Sequence, residues 1–210
     1  MRSFVRAGAW LAMLCLASAA GRANDAQHLR GTLVKVSENA LTVANEDEEE
    51  FEVALTEDTG IYVVSPAKFA DIAAGQFVGV TSVAGDDGRI ALEVHIFAED
   101  LRGTGEGHFP WDLVKEDNTM TNATIAEIKE ASPVERVLRL TYKEGEGHGQ
   151  SEGEQTVRVP DFADVVLLEA APDRSVLVPE RPVFVFVEGE APPGPTAIAI
   201  AVGIGVTPPM

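Results

Sequence analysis

Apolar and polar residues alternate along almost the whole chain after residue 28, and this period of two is the strongest constraint on the fold. Successive side chains of a β-strand point to opposite faces, whereas a helix repeats about every 3.6 residues. The alternation therefore predicts an all-β protein with one short helical turn between Pro66 and Ala74. Strands are predicted in the first half at residues 29–37, 41–44, 51–55, 61–64, 77–83 and 90–97.

The second half of the chain repeats the pattern of the first half. Residues 51–96 align without a gap with residues 157–202, and Leu41 to Val43 align with Leu140 to Tyr142. Insertions in hairpin loops account for the changes of register, and loops tolerate them because closure entropy grows slowly with length. We interpret the pattern as an internal duplication.

Each repeat has the order of an OB-like barrel, namely three strands, a short helical turn and two strands. The sequence thus predicts two tandem small OB-like β-barrels joined by a structured Gly-rich linker. The predicted boundaries are a first OB-like domain at residues 24–100, a linker at 101–120 and a second OB-like domain at 121–210.

Alternation also assigns the faces of the last strand in each repeat. Four apolar residues are predicted to point inward, namely Ile90, Leu92, Val94 and Ile96. Ala91, Glu93 and His95 are then predicted to point outward, as are Ala197, Ala199 and Ala201 in the second repeat. We expect the small apolar strip of alanines to pack against the other barrel or the linker.

Residues 1–23 have the layout of a secretory signal peptide. Arg2 and Arg6 precede an apolar run at residues 7–16, and small residues follow, so that cleavage is expected after Ala19 or Ala23. The run is too short to span a bilayer, and no later stretch is apolar enough for a membrane helix. We therefore expect a periplasmic or secreted mature protein without a thiol, since the single cysteine lies in the leader.

The charge of the chain argues against nucleic acid as a partner. Lys and Arg total 16 against 34 Asp and Glu, a net charge of -18. The nucleophile elbow, the phosphate-binding glycine loop and the helical zinc pair of histidines are all missing from the sequence, so an enzyme is not supported. Three hypotheses stay open: a non-enzymatic binding or accessory protein for a small molecule or a periplasmic protein, a divalent-metal-binding protein, and an enzyme of a kind that the sequence does not define.

The predicted linker carries the densest chemistry. Glu106, His108 and Asp112, with His95 nearby in sequence, offer imidazole and carboxylate ligands for a divalent metal ion such as Zn, Cu or Ni. Alternatively, Glu106 and His108 are hydrogen-bonded residues that hold Trp111 against a barrel.

The aromatic part of the linker suggests a second kind of site. Phe109, Trp111 and Met120, with Asn122 beyond them, are predicted to line a ligand or partner groove between the barrels, since such sites favour aromatic walls with few polar groups. Arg102 is expected to neutralise Glu106 or Asp112, or to meet an anionic ligand. The alternative is that the aromatic residues form an inter-domain core.

Several motifs resemble a family of exported proteobacterial proteins related to the DUF5666 domain. They are the Gly-rich run at Arg102 to Asp112, Met120 to Ala123, Ala70 to Gly79, Ala91 to Phe97 and the terminal Pro208 to Met210. The resemblance covers the mature chain and implies a domain type without an established activity. Some proteins of this kind carry the label metal ABC transporter permease, which this sequence argues against because a permease needs several membrane spans. A second Gly-Glu-Gly-His at residues 145–148 departs from the family pattern and is expected to be a flexible loop.

Overall fold

The computed structural model describes residues 27–86, 88–114, 117–144, 151–189 and 194–209. The predicted signal peptide and the second Gly-Glu-Gly-His lie outside these residues. The described residues form thirteen strands and three short 3-10 turns, without an α-helix, which confirms the prediction of an all-β protein.

The strands follow the predicted alternation closely. In the first half they are β1 (Gln27–Val36), β2 (Ala40–Ala44), β3 (Glu50–Ala54), β4 (Gly60–Pro66), β5 (Phe77–Gly85) and β6 (Gly88–Phe97). The linker contributes β7 (Gly107–Trp111), and the second half contributes β8 (Asn118–Ser132), β9 (Glu135–Glu144), β10 (Ser151–Pro160), β11 (Asp164–Ala170), β12 (Pro182–Glu188) and β13 (Thr196–Gly203). The 3-10 turns are Phe69–Asp71, Glu99–Leu101 and Arg174–Val176.

All thirteen strands belong to one mixed sheet in which two rings of five strands close on themselves. In the first ring, β5, β6, β8, β9 and β10 are joined in a circle because β10 returns to pair in parallel with β6. In the second ring, β1, β2, β3, β12 and β13 are joined in the same way through the contact of β13 with β3. Closing a sheet removes the exposed strand edges that an open sheet would leave.

Each ring combines strands from both halves of the chain. β5 and β6 belong to the first half in sequence but pair with β8, β9 and β10 of the second half. Likewise, β12 and β13 of the second half complete the ring of β1, β2 and β3. Each hydrophobic core is shared likewise: Val80 and Val94 pack with Leu138 and Val157 in the first ring. The arrangement of two tandem barrels at residues 24–100 and 121–210 is not confirmed, because the two halves exchange their last two strands.

The exchange places the equivalent strands β4 and β11 side by side between the rings. They pair antiparallel, with Val64 opposite Leu168, and each also pairs in parallel with the last strand of a ring, β4 with β13 and β11 with β6. The pairing of β4 with β13 thus matches that of β11 with β6. A central cluster holds the rings together, and its buried members are Val64, Phe77, Phe97, Val166, Leu168, Phe184 and Ala201.

A matching glycine opens the last strand of each repeat. Gly88, at the start of β6, and Gly194, just before β13, occupy aligned positions and both have a positive φ, 111° and 129°. Only glycine adopts that backbone conformation without strain. The shared conformation supports the internal duplication.

A β-bulge in β6 alters the predicted faces of that strand. The register between β5 and β6 shifts so that Leu92 has no directly opposite residue. Ala91 therefore lies in the core of the first ring, and its predicted outward position is wrong. Glu93 and His95 do lie on the face opposite Val94, but both are buried rather than solvated.

The equivalent bulge in β13 lies at Ile198. Ala197 consequently lies in the core of the second ring instead of pointing outward, whereas Ala201 is buried in the central cluster. Within the residues that the structure describes, no helix has the length and apolar character needed to cross a membrane.

Candidate functional site

A pocket of about 290 Å³ lies where the two rings and the linker meet. Its volume is close to the lower end of the range, about 300–1,000 Å³, that is usual for small-molecule sites. The walls are mainly apolar and aromatic. The lining residues are Tyr62, His95, Phe97, Leu101, Thr104, Gly105, Phe109, Trp111, Met120, Asn122, Leu168, Phe186, Ile198, Ala199 and Ala201.

The linker builds one wall of the pocket through β7. This strand pairs antiparallel with β8, which places Phe109 opposite Met120 and Gly107 opposite Asn122. Because side chains alternate along a strand, Phe109 and Trp111 share the face that lines the pocket, and His108 lies on the other face. The structure thus brings together the aromatic residues that the sequence predicted to line a groove.

Trp111 packs against aromatic side chains of strands β1 and β12, which belong to the second ring of strands. Its ring centroid lies 4.5 Å from His28, 6.1 Å from Phe184 and 6.2 Å from Phe186. Such tilted aromatic contacts add about 0.5–1.5 kcal/mol each beyond the area that they bury. The indole Nε1 is nevertheless buried without a hydrogen-bond partner. A buried N–H group without a partner costs free energy, and a bound ligand would recover it.

A carboxylate and an imidazole lie buried beside the pocket. Glu93 has no exposed surface and His95 is 2% exposed. Nδ1 of His95 lies 3.2 Å from Oε1 of Glu93, and the hydroxyl of Thr81 donates to Oε2 at 3.3 Å. When Glu93 is ionised and His95 is neutral, Nδ1 donates to Oε1, and Nε2, which faces away from Glu93, is left as an acceptor.

Asn122 completes the polar part of the pocket. Its Nδ2 donates to the carbonyl oxygen of Gly105 at 3.0 Å and to that of Thr104 at 3.5 Å. These two carbonyls fix the orientation of the amide, because a carbonyl only accepts. Oδ1 of Asn122 consequently points the other way, where it is buried without a hydrogen-bond partner.

Gly79 allows His95 and Asn122 to come close to each other. A Cβ atom at this position would lie 1.8 Å from Nε2 of His95 and 2.6 Å from Oδ1 of Asn122. Both side chains therefore pack directly over Gly79, where any other residue would displace them. Two acceptor atoms converge at this end of the pocket.

The structure separates the residues of the predicted metal site. His108 lies on the face of β7 away from the pocket, where its Nδ1 is 2.8 Å from the hydroxyl of Thr121 and its ring stacks on Tyr142. Partial burial lowers the pKa of His108, and the charge of Arg89 lowers it further, against a smaller opposite effect of Glu144. His95 is on the other side of β8, paired with Glu93.

The two carboxylates of the predicted metal site point to different partners. Glu106 accepts a hydrogen bond from the backbone N–H of Lys143 at 3.2 Å, whereas Asp112 accepts one from Arg30 at 2.8 Å. Partial burial by itself raises the pKa of Asp112, but the hydrogen bond and charge of Arg30, with those of His28, outweigh it and hold the pKa below its usual value. Among the residues that the structure describes, no three His, Cys, Asp or Glu side chains are grouped so that they could hold a metal ion.

Arg102 does not reach the pocket. It forms an ion pair with Glu99, with 2.6 Å between Nε and Oε1, and donates to the carbonyl oxygen of Gly75 at 2.9 Å. These contacts fasten the 3-10 turn before the linker to the turn that precedes β5. Arg102 is thus a linker anchor in this structure, and its predicted pairing with Asp112 is replaced by that of Arg30.

Sequence reasoning did not identify Glu93 as a site residue and placed His95 only in a metal site. The available signal was a Glu and a His at alternate positions of an otherwise apolar strand. Alternation placed both side chains on the correct face, opposite Val94, but it assigned that face to solvent, and the sequence did not show that the face is buried in the folded chain. Tyr62 and Phe186 also line the pocket, but no motif in the sequence marked them as site residues, because they lie on strands distant in sequence from the linker.

Comparisons with family models, with curated proteins and with solved structures gave no match to this chain.

Proposed function

We propose that this protein binds a small, largely apolar molecule in the pocket between the two rings. The observation that carries the proposal is the combination of apolar walls with two buried polar atoms that have no partner, Nε1 of Trp111 and Oδ1 of Asn122. Buried polar groups of native proteins are almost always hydrogen-bonded, so exceptions at the wall of a pocket indicate a ligand.

The architecture is compatible with a binding role. In our proposal each ring is an OB-like barrel, five strands closed by a parallel pairing, and the linker strand β7 covers the junction between them. The predicted signal peptide places the protein in the periplasm or outside the cell. There it serves as a binding or accessory protein for a small molecule.

The test uses the intrinsic fluorescence of Trp111. Trp10 is the other tryptophan of the chain, so a Trp10→Phe background leaves Trp111 as the sole emitter beside the pocket. Titration with cyclohexylmethanol and with methoxycyclohexane, two apolar isomers, is expected to give a saturable change of Trp111 emission. Native mass spectrometry of the protein purified without added probe is expected to show a co-purified small molecule.

A matched pair of variants assigns the binding to the pocket. Ala199→Leu fills the pocket from β13 and is expected to abolish the saturable change, whereas Ala84→Leu adds the same side chain at an exposed position and is expected to leave it intact. Equal binding by both variants, or no saturable change in the parent protein, would contradict the proposal.

A further inference from the structure

One end of the pocket carries Nε2 of His95 and Oδ1 of Asn122, which pack together over Gly79, and we call these two residues the polar corner. Nε2 of His95 and Oδ1 of Asn122 both lie within 2.6 Å of the point that a Cβ on Gly79 would occupy. The donor of Asn122 is already used by Gly105 and Thr104. The polar corner therefore lacks a group that donates hydrogen bonds.

The carboxyl group of Glu93 lies directly behind the polar corner, and we take it as ionised. Glu93 is fully buried, and its neighbours in hydrogen-bond range are the imidazole of His95 and the hydroxyl of Thr81, neither of which carries a permanent positive charge. The side chains that line the pocket include no Arg and no Lys. Low-dielectric surroundings strengthen the effect of a buried carboxylate on any cation nearby.

The remaining walls suit an organic cation as well. Phe97, Phe109, Trp111 and Tyr62 line the pocket, and the faces of aromatic rings attract ammonium groups. We infer that the pocket takes a primary amine carried on a small apolar body, with the amino group donating to His95 and Asn122 in the polar corner. This inference rests on the proposed function and specifies its ligand class.

The duplicated chain offers an internal comparison. Glu93 and His95 align with Ala199 and Ala201 of the second repeat, and Asn122 aligns with Arg30. The second ring closes without a buried carboxylate and imidazole at these positions, so the fold itself does not require the pair. Burying an ionised carboxylate is costly, which assigns the pair a role in the pocket rather than in stability.

The experiment compares three probes with the same number of non-hydrogen atoms, using Trp111 emission in the Trp10→Phe background. They are cyclohexylmethylamine, cyclohexylmethanol and methoxycyclohexane, which carry an amine, a hydroxyl and an ether oxygen. The amine is expected to bind at least about tenfold more tightly than the ether, with the alcohol between them. An amine that binds no better than the alcohol would overturn the assignment of an amine.

Variants assign the preference to the polar corner. Glu93→Gln keeps the size of the side chain but removes its charge, and its amide can accept from Nδ1 of His95 while donating to the hydroxyl oxygen of Thr81. It is expected to weaken binding of the amine about tenfold while leaving binding of the ether unchanged. Glu57→Gln, which removes an exposed charge, is the control. If Glu93→Gln leaves amine affinity unchanged, the inference fails.

The outcomes separate the inference from the function on which it rests. Saturable binding of all three probes with equal affinity would overturn the amine and leave a pocket for apolar molecules. Binding of none of them would overturn the proposed function itself. Asn122→Leu, expected to reduce the preference for the amine over the ether, provides a second measurement if Glu93→Gln lowers the stability of the protein.

Discussion

Single residues decide which side of each strand carries chemistry. Gly79 has no side chain, and for that reason His95 and Asn122 meet above it. On β7 the neighbours His108 and Phe109 face opposite ways, so the first stacks on Tyr142 while the second lines the pocket. One position along the strand therefore separates a half-buried residue stacked on Tyr142 from a residue of the candidate site.

The lowered pKa of His108 makes a prediction about stability and pH. Partial burial keeps the folded imidazole neutral, whereas the unfolded chain takes up a proton near the ordinary pKa of about 6.5. The unfolded state then binds more protons below that value, so stability falls as the pH falls through it. The loss of melting temperature between about pH 7.5 and about pH 5.5 should be smaller for His108→Gln than for the parent protein.

The control uses the alkaline side, where His108 is neutral in both the folded and the unfolded chain. Between about pH 7.5 and about pH 8.5 the two proteins should show the same change of melting temperature. Identical losses on the acid side would show that His108 does not titrate differently in the folded state.

At the scale of the strands, the two bulges determine what faces the pocket. The bulge at Leu92 turns Ala91 into the first core and leaves Glu93 and His95 on the opposite face. The bulge at Ile198 acts alike in β13, where Ala199 becomes part of the pocket wall. A β-bulge thus accompanies the Glu93–His95 pair in β6 and the small apolar surface at Ala199 in β13.

Ala199→Glu tests the apolar wall of β13. A carboxylate at this position would lie against aromatic and aliphatic side chains without a donor of its own, and the free energy of unfolding is expected to fall by about 2 kcal/mol. Ala84→Glu, at an exposed position of β5, should change it by less than about 0.5 kcal/mol. Urea unfolding measures both values. Equal stabilities would mean that Ala199 faces water.

The strands themselves were predictable because alternation and turn residues are local properties. The predicted strand at 77–83 became β5 (Phe77–Gly85), and the predicted turn after Pro66 became the 3-10 turn Phe69–Asp71. The bulges were not predictable, since Leu92 and Ile198 interrupt the period of two without a glycine or proline to mark them. The aromatic pair Phe109 and Trp111 was found because its spacing is visible in the sequence, whereas Glu93 was missed because its burial depends on tertiary packing that alternation does not report.

At the scale of the whole molecule, the exchange of strands joins the halves into one cooperative unit. The duplication was visible in the sequence, but the choice of partner was not, because exchanged and unexchanged pairings bury the same faces of the same strands. β5 and β6 pack Val78, Val80 and Val94 against residues of the second half. The two halves of the chain therefore depend on each other for their cores.

Separate expression of the halves tests this dependence. Residues 27–114 alone lack the strands that cover the apolar face of β5 and β6, and we expect no folded monomer by circular dichroism and size-exclusion chromatography. Mixing this fragment with residues 117–210 is expected to restore the far-ultraviolet spectrum of the intact chain. A fragment that unfolds cooperatively as a monomer would show that the exchange is dispensable.

The exchange also sets an order in which the rings can form as the chain emerges from its amino end. The first ring is complete once β10 is available, whereas β1, β2 and β3 must wait for β13, near the opposite end of the chain. During that delay the three-stranded meander has an open edge, the kind of surface on which chains aggregate. Glu50 and Glu52 lie exposed on β3, at this edge. We expect the charges of Glu50 and Glu52 to disfavour pairing of this edge with another chain until β13 is available.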